Sequence, residues 1–375
     1  MRGKPLTDEE IAQIALDRFR PLKDGMRETS IEALKEKWGR PKNTITSALR
    51  RAFKGRLVEM TRTEKTTRTP TNLDRAPDLE IELKRRYPSL FGAIVVRTKE
   101  TSSDRIHRDL GYAMACELGN IIPHNATIGL GSGRGPYYTV TALNQMPRLS
   151  RDGITLMSLT GAVYPETHDE RLNVLLDADF HTGLLGVSFS KPLTQRMISY
   201  PIAPNGIEKT RRDTWLEEKE FHEHVPTVAI VGVGVLRGRH RFYEAVKKNN
   251  PGPALAPIFA DLKKLVDLAD KHSNDIYCPV ADVCNRLYYI DPSRGMLPDS
   301  TKRNILTLIS HINEQLLTIN EEQLRMIGGL LLVAGTRDKA MAIRSLLEDS
   351  ESPRVRLQVV CIDAPTAELI LNLIG

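Results

Sequence analysis

Glycines at the ends of apolar runs recur at four places in the C-terminal two thirds of this chain, three of them followed by cationic or hydroxyl side chains. The first is Gly129-Leu-Gly131-Ser132-Gly133-Arg134-Gly135-Pro136, between an apolar run and a helical pattern. Gly161 follows the apolar run 154–160, and Gly232-Val-Gly234-Val-Leu-Arg237-Gly238-Arg239 follows another. The fourth is Ala334-Gly335-Thr336-Arg337-Asp338-Lys339. Glycine lets backbone amides approach an anion, and Ser132, Arg134, Arg237 and Lys339 can add charge-assisted hydrogen bonds. None of this is a dinucleotide fingerprint. In G-x-G-x-x-G register the third glycine is replaced by Arg134 counting from Gly129, by Pro136 from Gly131 and by Arg237 from Gly232. No G-x-x-x-x-G-K-[ST] occurs either, so no nucleotide or other cofactor is expected. The chemistry suggested is the binding of a small, oxygen-rich ligand, phosphorylated or not.

An enzyme of the sugar-phosphate isomerase or deaminase kind is the alternative, and it would need a positioned acid/base pair. Asp282, Glu166, His168 and Asp169 are the candidates, but their spacing fixes no geometry. His222-Glu-His224 closes the run Glu-Glu-Lys-Glu-Phe-His-Glu-His and reads as a solvated helix end rather than a metal site. No catalytic residues and no metal are expected.

A second kind of chemistry sits at the start of the chain. The net charge is +6, yet residues 1–68 hold 17 Lys and Arg against 10 Asp and Glu, so the rest of the chain is close to neutral. Such asymmetry points to an anionic partner for the N-terminal segment alone. Three short helical patterns precede residue 55. Thr7 can cap the first, whose Ile11, Ile14, Ala15 and Phe19 share a face before Pro21 and Gly25 break it. Ser30 can cap the second, with Ile31, Leu34 and Trp38, which stops at Gly39. The third places Ile45, Ala48, Leu49, Ala52 and Phe53 on one stripe.

The other side of that third helix carries Asn43, Thr46, Ser47, Arg50, Arg51 and Lys54. A helix with one buried stripe and one donor-rich stripe suits the major groove of duplex DNA. Short polar residues (Asn43, Thr44, Thr46, Ser47) would reach bases, while Arg40, Lys42, Arg50, Arg51 and Lys54 grip phosphates. A Thr-rich, β-prone segment after Gly55, with Arg62, Lys65 and Arg68, reads as a wing.

These groups need a scaffold. Residues 1–68 are expected to form a winged helix-turn-helix domain, and 69–90 a proline-bearing linker with a helix over Leu79–Tyr87 that serves as connector or dimer contact. From about residue 91 short apolar runs alternate with helical patterns. Strands are expected at Ala93–Arg97, Thr127–Leu130, Ile154–Thr160, Thr227–Val233, Leu330–Ala334 and Leu357–Ile362. Helices are expected at Arg105–Leu118, Tyr137–Met146, Asp169–Asp179, Ala254–Lys271, Lys339–Leu347 and Pro365–Leu373. That alternation implies an α/β domain over 91–375 with a doubly wound, mostly parallel sheet. Ligands of such sheets bind beyond the strands' carboxyl ends.

No apolar run approaches the roughly 18 residues needed to span a bilayer. The opening MRGKPLTDEE has no apolar core of a secretory signal, and the four cysteines show no C-x-x-C spacing. A cytoplasmic protein with reduced thiols and no membrane partner is expected.

Several stretches together resemble the SorC family of bacterial sugar-binding transcriptional regulators. They are RPKNTITSALRRAFKGRLVEM in the head, ATIGLGSGRGPYYTVTAL, PVADVCNRLYYID, and the pair LLLVAGTRDKAMAIRSLL and LQVVCIDAPTAELIL at the C-terminus. The resemblance implies a large domain of the sugar-phosphate isomerase and deaminase fold type, in a homo-oligomer (dimer or tetramer) that binds a double-stranded operator. It implies that Gly131, Ser132, Gly133 and Arg134 line the effector loop, that Asp282 contacts hydroxyls and that Lys339 faces a phosphate or another anionic group. Departures are Gly135 where the family often has Thr, and Asn285 and Thr336 where it has glycines. Stretches 205–225 and 291–320 stand as insertions.

Overall fold

A computed structural model describes residues 31–46, 73–99, 102–147, 149–151, 153–160, 178–188, 225–237, 256–291, 297–315, 318–348 and 357–372, with isolated positions before residue 31 and at 48. Two compact units divide the chain, residues Met1–Thr71 and Asn72–Gly375.

In the first unit Thr7 and Glu10 cap a helix start reciprocally. Glu10 N donates to Thr7 Oγ1 at 3.2 Å and Thr7 N to Glu10 Oε2 at 2.8 Å. A two-residue antiparallel ladder pairs Pro21 with Met26 and Leu22 with Gly25, where the expected helix break falls. Helix α1 (Ile31–Trp38) follows. Gly39, at φ +55°, turns the chain in the left-handed region that a side chain disfavours. Residues 42–46 are helical again, with Ile45 N donating to Pro41 O at 3.1 Å. Ile11, Ile14, Leu34, Ile45 and Ala48 form one buried cluster with Leu6 and Trp38 packed against it. The stripe residues whose side chains are described therefore meet in a common small core; Ala15, Phe19, Leu49, Ala52 and Phe53 lie outside the described residues. The proposed wing lies outside the described residues.

The second unit is built on a six-stranded parallel sheet. Its strands are β1 (Gly92–Val96), β2 (Thr127–Leu130), β3 (Thr155–Ser158), β4 (Val228–Val231), β8 (Leu330–Val333) and β9 (Leu357–Asp363). A three-stranded antiparallel sheet separates β4 from β8 in the chain: β5 (Val233–Val235), β6 (Val280–Val283) and β7 (Arg286–Tyr289). The parallel order is β1-β9-β8-β4-β2-β3. Every expected strand is present within two or three residues at its ends. In β4 and β8 successive residues are buried without alternation, so both faces of the sheet are covered. Helices α3 (Ser103–Ile121), α4 (Arg134–Leu143) and α5 (Ala178–Val187) pack in series, as do α2 (Pro77–Arg86), α10 (Ala364–Asn372) and α9 (Ala340–Leu347). Both series touch the parallel strands, giving a doubly wound sheet.

Two expectations change. The segment 69–90 is no free linker from residue 73 on. Leu83 of α2 is fully buried against the sheet, and Ala76 N donates to Val95 O at 2.8 Å along the outer edge of β1. An apolar face that finds a sheet edge stays there. Next, the glycine stretch after β4 is a strand and not a loop: Gly234 pairs with Asp282 in β5–β6. That pairing partner lies 48 residues downstream, beyond any local pattern. Of the two stretches read as insertions, 205–224 lies outside the described residues and 291–320 contains α7 (Asp299–Gln315), which packs on α6 (Ala256–Lys271) and β7 and buries Ile305 and Ile312. A short helix, α8 (Glu321–Met326), then leads into β8; Asn320 and Gln323 cap it reciprocally. Of the expected helix Asp169–Asp179 only the last two residues are described, and they open α5. No described helix is long and apolar enough to cross a membrane.

Candidate functional site

Strands β2 and β4 are neighbours whose onward connections run in opposite directions, to β3 on one side and toward β8 on the other. Such a reversal opens a crevice beyond the strands' carboxyl ends. The Gly131–Arg134 loop lies there. Gly131 N donates to Ile230 O at 3.0 Å, tying the loop to β4. Helix α4 begins at Arg134, three residues earlier than expected, so Arg134 and Gly135 belong to its first turn. A Cβ on Gly135 would lie 2.0 Å from Val333 O. The helix start is thus pressed against the end of β8, and the Thr common at this position in the resembling family would not fit.

The wall beside the loop is the β6–β7 hairpin. Its two-residue turn, Cys284-Asn285, has φ +54° and +60°, the type I′ geometry that matches strand twist. Asn285 tolerates that region and takes the place of a family glycine. Ser132 Oγ donates to Asn285 Oδ1 at 3.3 Å, and Asn285 N donates to Asp282 Oδ2 at 3.2 Å. Asn285 is 5% exposed, and its Nδ2 has no hydrogen-bond partner among the described residues. An orphaned buried donor is costly, by about 1–3 kcal/mol, unless something accepts from it. Burial pushes the Cys284 thiol far above its ordinary value, and the Asp282 carboxylate beside it adds to the shift.

Opposite stands the first turn of α3. Arg134 donates from its Nη1 to Ser103 Oγ at 2.7 Å, and its Nε lies 2.7 Å from Asp104 Oδ1 in an ion pair. The buried His107 places Nδ1 2.6 Å from Ser103 O, and its Nε2 lies 3.2 Å from Lys339 Nζ. Lys339 ends the 3-10 turn Arg337–Lys339 after β8. Before it, Thr336 holds φ +86°, strain for a β-branched residue where the family has glycine. The buried Asp363 at the end of β9 compensates: its Oδ1 accepts from Thr336 N at 2.8 Å and from Thr366 Oγ1 at 2.7 Å.

Gly131, Ser132, Gly133, Arg134, Gly135, Asp282 and Lys339 therefore gather around one crevice. Arg237 does not. It lies at the end of the small sheet away from the Cys284-Asn285 turn, donating to the carbonyls of Asn274 and Tyr277. Gly161, Glu166, His168, Asp169, His222 and His224 lie outside the described residues. Sequence reasoning missed Ser103, Asp104, His107 and Asp363. It also missed His181, which is buried with Nδ1 3.3 Å from Gly131 O and its ring 5.6 Å from that of Tyr137. None of these sits in a glycine-rich stretch, so no local signal marked them. Among the described residues no group of three or more His, Cys, Asp or Glu could hold a metal ion.

In the head, Arg40, Lys42, Asn43, Thr44 and Thr46 are partly or fully exposed. The Thr46 hydroxyl donates to Lys42 O at 3.1 Å, within its own helix. Ser47, Arg50, Arg51 and Lys54 lie outside the described residues.

No family model matches the sequence, and no curated protein matches it. Solved structures do match. The full-length sorbitol operon regulator SorC from Klebsiella pneumoniae aligns over 96% of this chain and 98% of its own, at 16% identity and a TM-score of 0.53. A probable sor operon regulator from Shigella flexneri aligns over 79% of this chain and 99% of its own, at 15% identity and a TM-score of 0.53. The putative sugar-binding domain of a transcriptional repressor from Vibrio fischeri covers 80% of this chain and 99% of its own, at 14% identity and a TM-score of 0.54. The chain has the SorC-type fold. Within that fold the loop after β2, the hairpin turn and the turn after β8 form the crevice described above.

Proposed function

We propose that this chain is a DNA-binding transcriptional regulator whose operator affinity is set by a small polyhydroxylated effector, a sugar, sugar alcohol or sugar phosphate. The observation that carries this reading is the fold match over 96% of the chain to a full-length operon regulator. It extends through the basic first unit and does not stop at the α/β unit. The crevice supports it chemically. Arg134 and Lys339 supply positive charge beside the start of α4, where a helix N-terminus favours an anion. Ser132, Asp282 and Asn285 supply donors and acceptors suited to hydroxyls, and the orphaned Asn285 amide is explained by a bound oxygen. The head acts as a winged helix-turn-helix, with Asn43, Thr44, Thr46 and Ser47 at base edges and Arg40, Lys42, Arg50, Arg51 and Lys54 on phosphates. A homo-oligomer, dimer or tetramer, presents two heads to one operator, as helix-turn-helix proteins require for paired half-sites. The molecule works in the cytoplasm and turns over no substrate.

Binding of the full chain to its own promoter DNA tests this. Affinity should fall linearly on a log–log salt plot with a slope of about −0.9 per phosphate neutralised. One sugar, polyol or their phosphates should raise the melting temperature and change that affinity. A chain that binds no duplex in a salt-dependent way defeats the reading. Turnover of a sugar phosphate would replace it with the isomerase or deaminase alternative.

A further inference from the structure

Ser103, Asp104 and His107 occupy a single turn of α3, and between them they touch both cationic side chains of the crevice. Arg134 is held by Ser103 Oγ and Asp104. Lys339 is held by His107, a residue 1% exposed. The proton positions on that histidine follow from chemistry. A backbone carbonyl only accepts, so the 2.6 Å contact of Nδ1 with Ser103 O requires a proton on Nδ1. The 3.2 Å contact of Nε2 with Lys339 Nζ then needs one proton between two nitrogens. A lysine ammonium has three donors and no acceptor, so that proton belongs to the lysine. His107 is therefore a neutral imidazole, locked in one tautomer by α3's own backbone, whose lone pair receives an ammonium N–H.

We propose that His107 is a positioning residue that aims the Lys339 ammonium and so makes the crevice prefer an anionic ligand over its neutral counterpart. The proposal rests on the effector reading above and adds to it a specific device. A lysine side chain loses much rotamer freedom when it grips a ligand. Holding it beforehand removes that loss from the binding step. The turn that carries Lys339 is fixed in the same way from the other side, by Asp363 on Thr336 N. Both the backbone and the tip of Lys339 are thus set before a ligand arrives.

Two measurements on the full chain test this. In the first, uniformly 15N-histidine-labelled protein at pH 7.5 is examined by long-range proton–nitrogen correlation, with the His107 signals assigned by their loss in His107→Gln. The expected pattern is a protonated Nδ1 and a hydrogen-bonded, unprotonated Nε2, with the Nε2 signal moving toward that of a free lone pair in Lys339→Met. A protonated Nε2, or no response to Lys339→Met, overturns the proposal without any reference to ligand.

In the second, inorganic phosphate is titrated against wild type, His107→Gln and His107→Leu, following melting temperature. Gln can offer an acceptor near the Nε2 position and should bind phosphate within about threefold of wild type. Leu cannot, and should bind about tenfold more weakly. Equal binding by His107→Leu and wild type overturns the positioning role while leaving the effector site standing. A wild-type chain indifferent to phosphate overturns the anionic preference, while the effector reading fails only if no sugar or polyol shifts the melting temperature either; the tautomer measurement separates both failures from a wrong account of His107.

Discussion

Replacing Asn285 separates its two jobs, forming a turn and offering an amide. Its φ of +60° lies where glycine rests at no cost and alanine pays about 1–2 kcal/mol. In Asn285→Gly the hydrogen bond from Ser132 is lost, worth about 1 kcal/mol, and glycine adds about 0.4–1 kcal/mol of unfolded-chain entropy. Removal of a buried donor without a partner returns about 1–3 kcal/mol. The terms nearly cancel, so the melting temperature should stay within about 4 °C of wild type. Asn285→Ala loses the same amide but keeps the strained φ and should melt below the Gly variant, by about 1 kcal/mol. Both should bind the effector about tenfold more weakly, since the amide's bond to a ligand oxygen is worth about 1.4 kcal/mol. Differential scanning calorimetry and isothermal titration read the two effects separately. Wild-type effector affinity in Asn285→Gly would refute the role of the orphaned amide, and equal stability of the two variants would refute the turn argument.

Gly135→Ala would place a Cβ 2.0 Å from Val333 O and push the start of α4 away from β8. It should abolish effector-induced stabilisation and lower the melting temperature, and an unchanged thermal shift would show that the crevice tolerates the separation. Leu83→Ala should cost about 2–5 kcal/mol in urea unfolding, because Leu83 is fully buried where α2 meets the sheet; a loss under 1 kcal/mol would return the segment to the status of a linker. Native thiol labelling at pH 8 should modify the exposed Cys116 first. Cys278, Cys284 and Cys361 are buried with thiols held above their ordinary value by burial, and should react only on unfolding. Fast labelling of Cys284 would show that the hairpin turn opens.

The parallel sheet was legible because its strands are buried on both faces. Continuous apolar runs such as Val228–Val231 and Leu330–Val333 carry that burial in their composition. The glycine stretches after Thr127–Leu130 and Leu330–Val333 then marked carboxyl ends, where Ser132, Arg134 and Lys339 lie, while Asp282 is brought beside Ser132 only through Asn285. The antiparallel hairpin was not legible. Val280–Val283 is fully buried but interrupted by Asp282, and the Arg286–Tyr289 strand mixes charge with aromatics. The pairing partner of that hairpin, Val233–Val235, is set by distant register. Arg237 looked like a ligand group from its glycine neighbours alone, yet backbone carbonyls at the far end of the small sheet take its hydrogen bonds.

By itself the sequence determined the charge asymmetry, the head's apolar stripes, the order of parallel strands and helices along the chain, and the glycine-rich loop after the second parallel strand. Those are properties of segments a few to twenty residues long, where periodicity and composition act directly. Only the tertiary structure decided which residues complete the crevice. His107 and Ser103 reach Lys339 and Arg134 across separations of 232 and 31 residues, Asp363 steadies Thr336, and Asn285 is left with a buried amide. Such contacts arise because sheet order folds distant segments onto one edge, and spacing along a chain holds no record of that.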